Sequence, residues 1–275
     1  MRKQLIFFAI VLFSLQCAFA KSVNSLILFG DSLSDNGNVT HLLRSLRKEE
    51  SASYIETPFK NYIIRRIHEE AAKNHVPKIF EQAAQKIVAG VFDKILAPLV
   101  VEVISSVQNV PVVPQAPYWQ NHFSNGQVWN EYLARSLGLS AVDAMQYENH
   151  AFGGSWAATT DKDLSFTKFF KSPGKVLTNI IKGKLIPPSL GITIESYLLE
   201  KGKADPSALY IVFSGGNDYI NALDFNEHHD VKKIESYADN VTGQIISATN
   251  KLITAGAKNI VVFGVPNVGI TPHFN

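Results

Sequence analysis

The sequence predicts an α/β protein, a parallel sheet with helices on both faces. Three observations predict it. The runs SLILF (Ser25 to Phe29), ALYIVFSGGND (Ala208 to Asp218) and NIVVFGVPNVG (Asn259 to Gly269) hold short, continuously apolar stretches, the pattern of strands buried on both faces. Each stretch stops at glycine. The segments between them place apolar residues three and four apart, the spacing of one helix face. Strand and helix in alternation build β-α-β units, which carry their chemistry at the carboxyl ends of the strands.

The elements follow in order. Arg2 and Lys3, the apolar stretch LIFFAIVLF and Ala18-Phe19-Ala20 form a secretory signal peptide, residues 1–20, with cleavage expected after Ala20. The protein is therefore expected to be extracellular or periplasmic. Cys17 suggests a lipoprotein anchor, but Ser14-Leu15-Gln16 before it is a poor match. The domain then occupies 21–275. Its first strand ends at Gly30. A helical insertion spans about 43–112, with Pro77, Pro98 and Pro111 bounding its helices. Asn125 to Leu139 reads as an amphipathic helix closed by Gly138, and Tyr147 to Trp156 as an extended piece entering a glycine turn. The stretch 166–185 is helical in parts and broken at Pro173 and Gly174. Residues 192–202 form a short helix, and 234–257 a long one with Gly256 near its end.

Composition removes several function classes. The 275 residues are 46% hydrophobic and 18% charged, enough to bury a core of ordinary size, so disorder is not expected. Loss of Arg2 and Lys3 brings the 26 basic residues level with the 24 acidic ones. Such a balance supplies no general attraction to nucleic acid. The one cysteine, Cys17, leaves with the leader, so the mature chain has neither a disulfide nor a thiolate metal site.

Chemistry points to LILFGDSLSDNGN, Leu26 to Asn38. A serine just past a buried strand stands on rigid scaffold at the crevice, where a nucleophile is useful. It needs a general base, and N–H donors aimed at the oxyanion it creates. Glycine offers a backbone N–H without a side chain in the way, and asparagine a side-chain N–H. The same residues also dominate turns, so on the residues alone Ser32 is either a nucleophile or a turn serine.

FGDSLSDNGN resembles the first block of the GDSL lipases, also called SGNH hydrolases. PYWQNHFSNGQVWNEYLARSLGL, NHAFGGSWA, ALYIVFSGGNDY and NIVVFGVPNVGITP resemble further blocks of that family, in the family's order. The likeness covers about Ser25 to Asn38 and Pro117 to Pro272. It implies a three-layer α/β/α, flavodoxin-like sheet and a serine esterase or lipase without cofactor or metal. It implies Ser32 as nucleophile, with the Ser32 N–H, the Gly154 N–H and the Asn217 side-chain amide as oxyanion hole. Gly153 is the alternative donor. Asp31, Asp35 and Asn36 shape the loop, and Gly126 belongs to a structural turn.

Three departures stand out. His122 replaces the family's arginine before FSNG, a surface or packing change. The insertion is longer than usual, either a cap over the site or a helical layer packed on the core. The family's aspartate-x-x-histidine block, source of base and orienting acid, falls after the last strand here. The sequence therefore reads as the amino-terminal part of a longer enzyme. Asp224 with His228, His150, His273, His41, His68 and His75 are the substitutes on offer, and each sits where a structural or solvated role is the default.

The expected function is secreted ester hydrolysis of lipids, of phospholipase or lysophospholipase type, extending to acyl transfer. A catalytically inactive lipid-binding remnant and a carbohydrate-ester esterase are the alternatives. The expected partners are the ester substrate and, transiently, a membrane surface. The oligomeric state is open.

Overall fold

The structure, a computed structural model, describes residues 23–46, 113–158, 189–224 and 231–272, together with 64–65, 68, 71–72, 74–87 and 90. The expected leader and most of the expected insertion lie outside these, as do 159–188, His228 and His273.

Among the described residues four strands form one sheet: β1 (Leu26–Gly30), β2 (Tyr147–Ala151), β3 (Leu209–Phe213) and β4 (Asn259–Val262). Their spatial order is β2-β1-β3-β4, and every pair is parallel. β1 is central and buried along its whole length, which is why it carries no polar side chain. β2, at one edge, tolerates Glu148, Asn149 and His150 between its buried ends. The chain passes from β1 to β2 on one side and later to β3 on the other. The topological switch point therefore lies between β1 and β3, beyond their carboxyl ends.

Alternation along the strands divides the core between two faces. Ile27, Phe29, Tyr210 and Val212 pack under α3 (Leu190–Lys201) and α5 (Val231–Thr254), against Ile194, Tyr197, Leu198, Val241, Ile245 and Leu252. Leu26, Leu28 and Ile211 pack on the opposite face against Ala134 of α2 (Trp129–Ser136) and Leu139. Helices thus cover both faces, the three-layer α/β/α arrangement. The wholly buried Tyr210 keeps its hydroxyl satisfied: it accepts the Asp205 N–H at 2.7 Å and meets the Tyr197 hydroxyl at 3.1 Å.

Three elements differ from the sequence reading. The helix expected from Asn125 begins at Trp129, because the Glu131 carboxylate accepts the Val128 N–H at 2.8 Å and fixes the start there. The last strand stops at Val262, and the segment around Pro266 leads into a 3₁₀ turn (Val268–Ile270) with the Asn267 side chain accepting the Gly269 N–H. The helical region expected from about residue 43 starts earlier, at Asn38, as α1 (Asn38–Leu46). Its Val39, Leu42 and Leu43 form a third cluster with Val113, Phe123 and Phe152, so this start of the helical region packs on the main body.

The insertion is also fastened further along. Arg65 Nε lies 3.0 Å from Glu195 of α3, and Lys251 of α5 lies 2.6 Å from the same carboxylate. Glu195 is 1% exposed, a charge that needs both partners.

Candidate active site

β1 ends at Gly30, paired with Ala151 on one side and Phe213 on the other. The three strand ends are therefore level. Ser32 follows β1 by two residues, Gly154 follows β2 by three, and Asn217 follows β3 by four. The fold brings these sequence-distant residues to one end of the sheet, with Ser32 and Asn217 flanking the switch point. Asn217 and Asp218 stand in the first turn of a helix, α4 (Gly216–Asp224), which starts at the glycines that follow the apolar run.

Ser32 sits in a tight turn. The Asp31 carbonyl accepts the N–H of Ser34 and of Asp35, each at 3.0 Å. Ser32 is half-buried. Its neighbours hold the turn: Ser34 Oγ accepts the Trp129 indole N–H at 3.1 Å, and its carbonyl accepts the side-chain N–H of Asn130 at 2.9 Å and Asn149 at 2.7 Å. Asp31, Asp35 and Asn36 were expected to shape this loop. For the two aspartates the means are visible. Asp31 Oδ1 accepts the Leu33 N–H at 3.1 Å. The Asp35 carboxylate accepts the N–H groups of Gly37, Asn38 and Val39 at the amino end of α1, where a negative charge also meets the helix dipole favourably.

Burial pushes the Asp31 carboxyl up to about 6; the Leu33 N–H opposes this and the nearby charge of Asp218 adds to it. Asp35 is likewise raised by burial, against the pull of the N–H groups it accepts.

The glycine pair divides its roles. The Gly153 N–H donates to Asp35 Oδ2 at 2.8 Å. A Cβ on Gly153 would lie 2.1 Å from the Phe123 ring, so only glycine fits between ring and carboxylate. Gly154 has φ +79°, a left-handed conformation that glycine adopts without strain. Its N–H bonds to no described residue, whereas that of Gly153 is committed. The Asn217 side chain donates to the Ser155 carbonyl at 2.8 Å, which holds the amide beside the glycine loop.

Three of the described histidines have side-chain partners elsewhere. His122 is buried, with one ring nitrogen 3.0 Å from the Gln120 carbonyl and the other 3.1 Å from Glu131. The residue in the family's arginine position is thus a packing residue, not a surface one. His150 stacks on Phe29 and lies 3.4 Å from Glu148. His68 meets Glu81 at 2.6 Å, and His41 is exposed. His75 sits in a turn at φ 52°. Among the described residues none is hydrogen-bonded to Ser32. His228 and His273 lie outside them.

Asp218 went unnoticed in the sequence. It is wholly buried and accepts the N–H of Ala157 at 2.8 Å and Ala158 at 2.7 Å. The signal was available: an acidic residue directly after Asn217, following an apolar run and two glycines, marks a helix start. Among the described residues no group of three or more potential ligands could hold a metal ion, and no helix is long and apolar enough to cross a membrane.

Comparison with known proteins agrees with this architecture. The chain is 28% identical over 157 residues to the phosphatidylcholine-sterol acyltransferase of Aeromonas hydrophila, covering 57% of this chain and 38% of that protein. It is 32% identical over 81 residues to an uncharacterized protein in the trpE-trpG intergenic region of Pseudomonas putida, covering 29% of this chain and 12% of that protein. The matches thus span well under half the length of these relatives. The family model for GDSL-like Lipase/Acylhydrolase matches residues 26–275, and with the level strand ends of β1, β2 and β3 beneath Ser32, Gly154 and Asn217 this chain belongs to that family.

Proposed function

We propose that the protein is a secreted serine ester hydrolase acting on lipid esters through an acyl-enzyme on Ser32. The observation that carries the reading is the placement of Ser32, Gly154 and Asn217 after three neighbouring strand ends around the switch point. The Ser32 Oγ adds to the ester carbonyl carbon as its proton passes to a base. The carbonyl oxygen becomes an oxyanion, met by the N–H groups of Ser32 and Gly154 and the Asn217 amide. The carbon–oxygen bond to the alcohol breaks, and the alcohol leaves with the proton. Water then releases the carboxylic acid and restores Ser32; an alcohol in place of water gives acyl transfer. By family resemblance the base is a histidine of an aspartate-x-x-histidine block.

The lipid substrate is supported by the apolar insertion and by the relative named as a phosphatidylcholine-sterol acyltransferase. Secretion is supported by the leader sequence, and a mature amino terminus at Lys21, read by mass spectrometry, checks it. The test of activity uses the full natural protein on esters of graded acyl length, with and without an acceptor alcohol. Ser32→Ala should abolish turnover and labelling by a fluorophosphonate, since loss of a triad nucleophile costs about 10⁴–10⁶ in kcat. Undiminished hydrolysis overturns the assignment. Ester binding without turnover or labelling in the unaltered protein would establish an inactive binding module instead, and preference for acetylated sugars a carbohydrate esterase.

A further inference from the structure

The loop 152–158, which carries Gly154, is held from both sides by buried carboxylates on different elements. On the β1 side, Asp35 Oδ2 accepts the Gly153 N–H at 2.8 Å, and the Phe152 N–H donates to the Gly30 carbonyl at 3.0 Å. On the β3 side, the two oxygens of Asp218 accept the Ala157 and Ala158 N–H groups at 2.8 and 2.7 Å. Asn217, next to Asp218 in the chain, donates to Ser155 between these points at 2.8 Å. Both carboxylates are 0% exposed. Gly154, whose N–H bonds to no described residue, lies between the two anchorages.

Backbone N–H groups held by an ionised carboxylate make shorter and stronger bonds than neutral pairs. An oxyanion donor needs this fixity, because it acts only if it already points to where charge develops. Gly154, left-handed and without a side chain, is held locally by the turn that the Ser155 N–H closes onto the Phe152 carbonyl at 2.9 Å, and the carboxylates fix that turn to the neighbouring elements. We infer that Asp35 and Asp218 are positioning residues, a two-sided clasp that sets the Gly154 N–H in register with Ser32 and Asn217. Each aspartate also belongs to the segment bearing one of those partners: Asp35 lies three residues from Ser32 in the turn after β1, and Asp218 adjoins Asn217 in the first turn of α4. The clasp therefore ties all three oxyanion donors together. This inference rests on the proposed serine ester hydrolase reading.

The test compares two variants in the full natural protein. Asp218→Asn turns one of two acceptors into a donor facing an N–H. Asp35→Ser keeps one oxygen able to cap α1 but has none left for Gly153, and it guards against a failure of Asp218→Asn to fold. For each, kcat and KM are measured per folded molecule, with affinity for a trifluoromethyl ketone, which forms a tetrahedral adduct on serine. The expected result is a 10- to 100-fold loss in kcat, the scale of a misplacement of about 1 Å, with KM little changed and a matching loss of ketone affinity. A merely structural role would lower the folded fraction and leave kcat per folded molecule intact. Wild-type kcat and ketone affinity in either folded variant overturn the inference. Activity surviving Ser32→Ala would instead overturn the hydrolase reading itself, so the two failures are distinguishable.

Discussion

Asp35 accepts the Gly153 N–H at 2.8 Å while the Phe123 ring leaves no room for a Cβ on that glycine. Sequence separation between the two is 118 residues, yet this contact joins the turn after β1 to the loop after β2. Gly153→Ala should therefore disturb both. A methyl group 2.1 Å from Phe123 Cε2 must displace ring or backbone, and overpacking of this kind costs about 1–3 kcal/mol. The denaturant midpoint should fall and kcat should fall with it. Phe123→Leu in the same chain should return part of the stability. Wild-type stability of Gly153→Ala would show that the ring yields freely.

Asn217→Ala should reduce kcat about 10²–10³-fold, the usual loss for one oxyanion donor, with KM almost unchanged. The bond from Asn217 to the Ser155 carbonyl is lost too, so Asn217→Asp is a useful companion. It matches the shape but replaces the donor with an acceptor, and it should be at least as inactive. A variant that kept its kcat and raised KM would move Asn217 from oxyanion stabilisation to substrate binding.

Asp31 makes the folded state sensitive to pH. Its carboxyl is raised to about 6 in the fold, whereas an unfolded aspartate titrates near 4. Between roughly pH 4 and 6 the folded protein holds a proton that the unfolded chain has released. Stability contributed by this group is present below the unfolded value and is lost as pH rises through 6, by about 3 kcal/mol in all. Asp31→Asn, which keeps an oxygen for the Leu33 N–H, should be more stable than wild type at pH 7. The two proteins should converge near pH 4 in urea titrations. An equal difference at both pH values would exclude the titration of Asp31 as the cause.

Lys251 and Glu195 should respond unequally to removal. Lys251→Met leaves the Glu195 carboxylate, 1% exposed in the fold, with Arg65 as its remaining ion-pair partner among the described residues, and breaking a buried pair in this way costs about 3–5 kcal/mol. Glu195→Met leaves two cations that are themselves partly in water, with side chains 35% and 18% exposed, so its cost should be smaller. Urea midpoints of the two variants decide the order. The reverse order would mean that the insertion depends on Glu195 more than α5 does.

The sheet and its sequence blocks were legible because each rests on local pattern. Continuous apolar runs marked β1 and β3, and helical spacing marked α3 and α5, since burial on one face or both imposes those periods wherever the chain folds. The positions of Ser32 and Asn217 past strand ends were legible for a related reason: both follow the ends of apolar runs. Legibility failed where a bond formed between distant residues sets the outcome. Nothing local separates Gly153 from Gly154. The Asp35 carboxylate, delivered from the turn after another strand, takes one N–H and leaves the other. His122 read as either a surface or a packing change, and only the fold shows which, by carrying it inward to Glu131 on α2.

The amino-acid sequence by itself thus determined the α/β class, the strands, the family and the residues around Ser32, because these follow from periodicity and motif order. The tertiary structure alone decided that β1 lies between β2 and β3, that three strand ends are level, and that Asp35 and Asp218 close on one loop. The physical reason is that strand order and buried hydrogen bonds depend on which distant groups can satisfy one another once water is excluded.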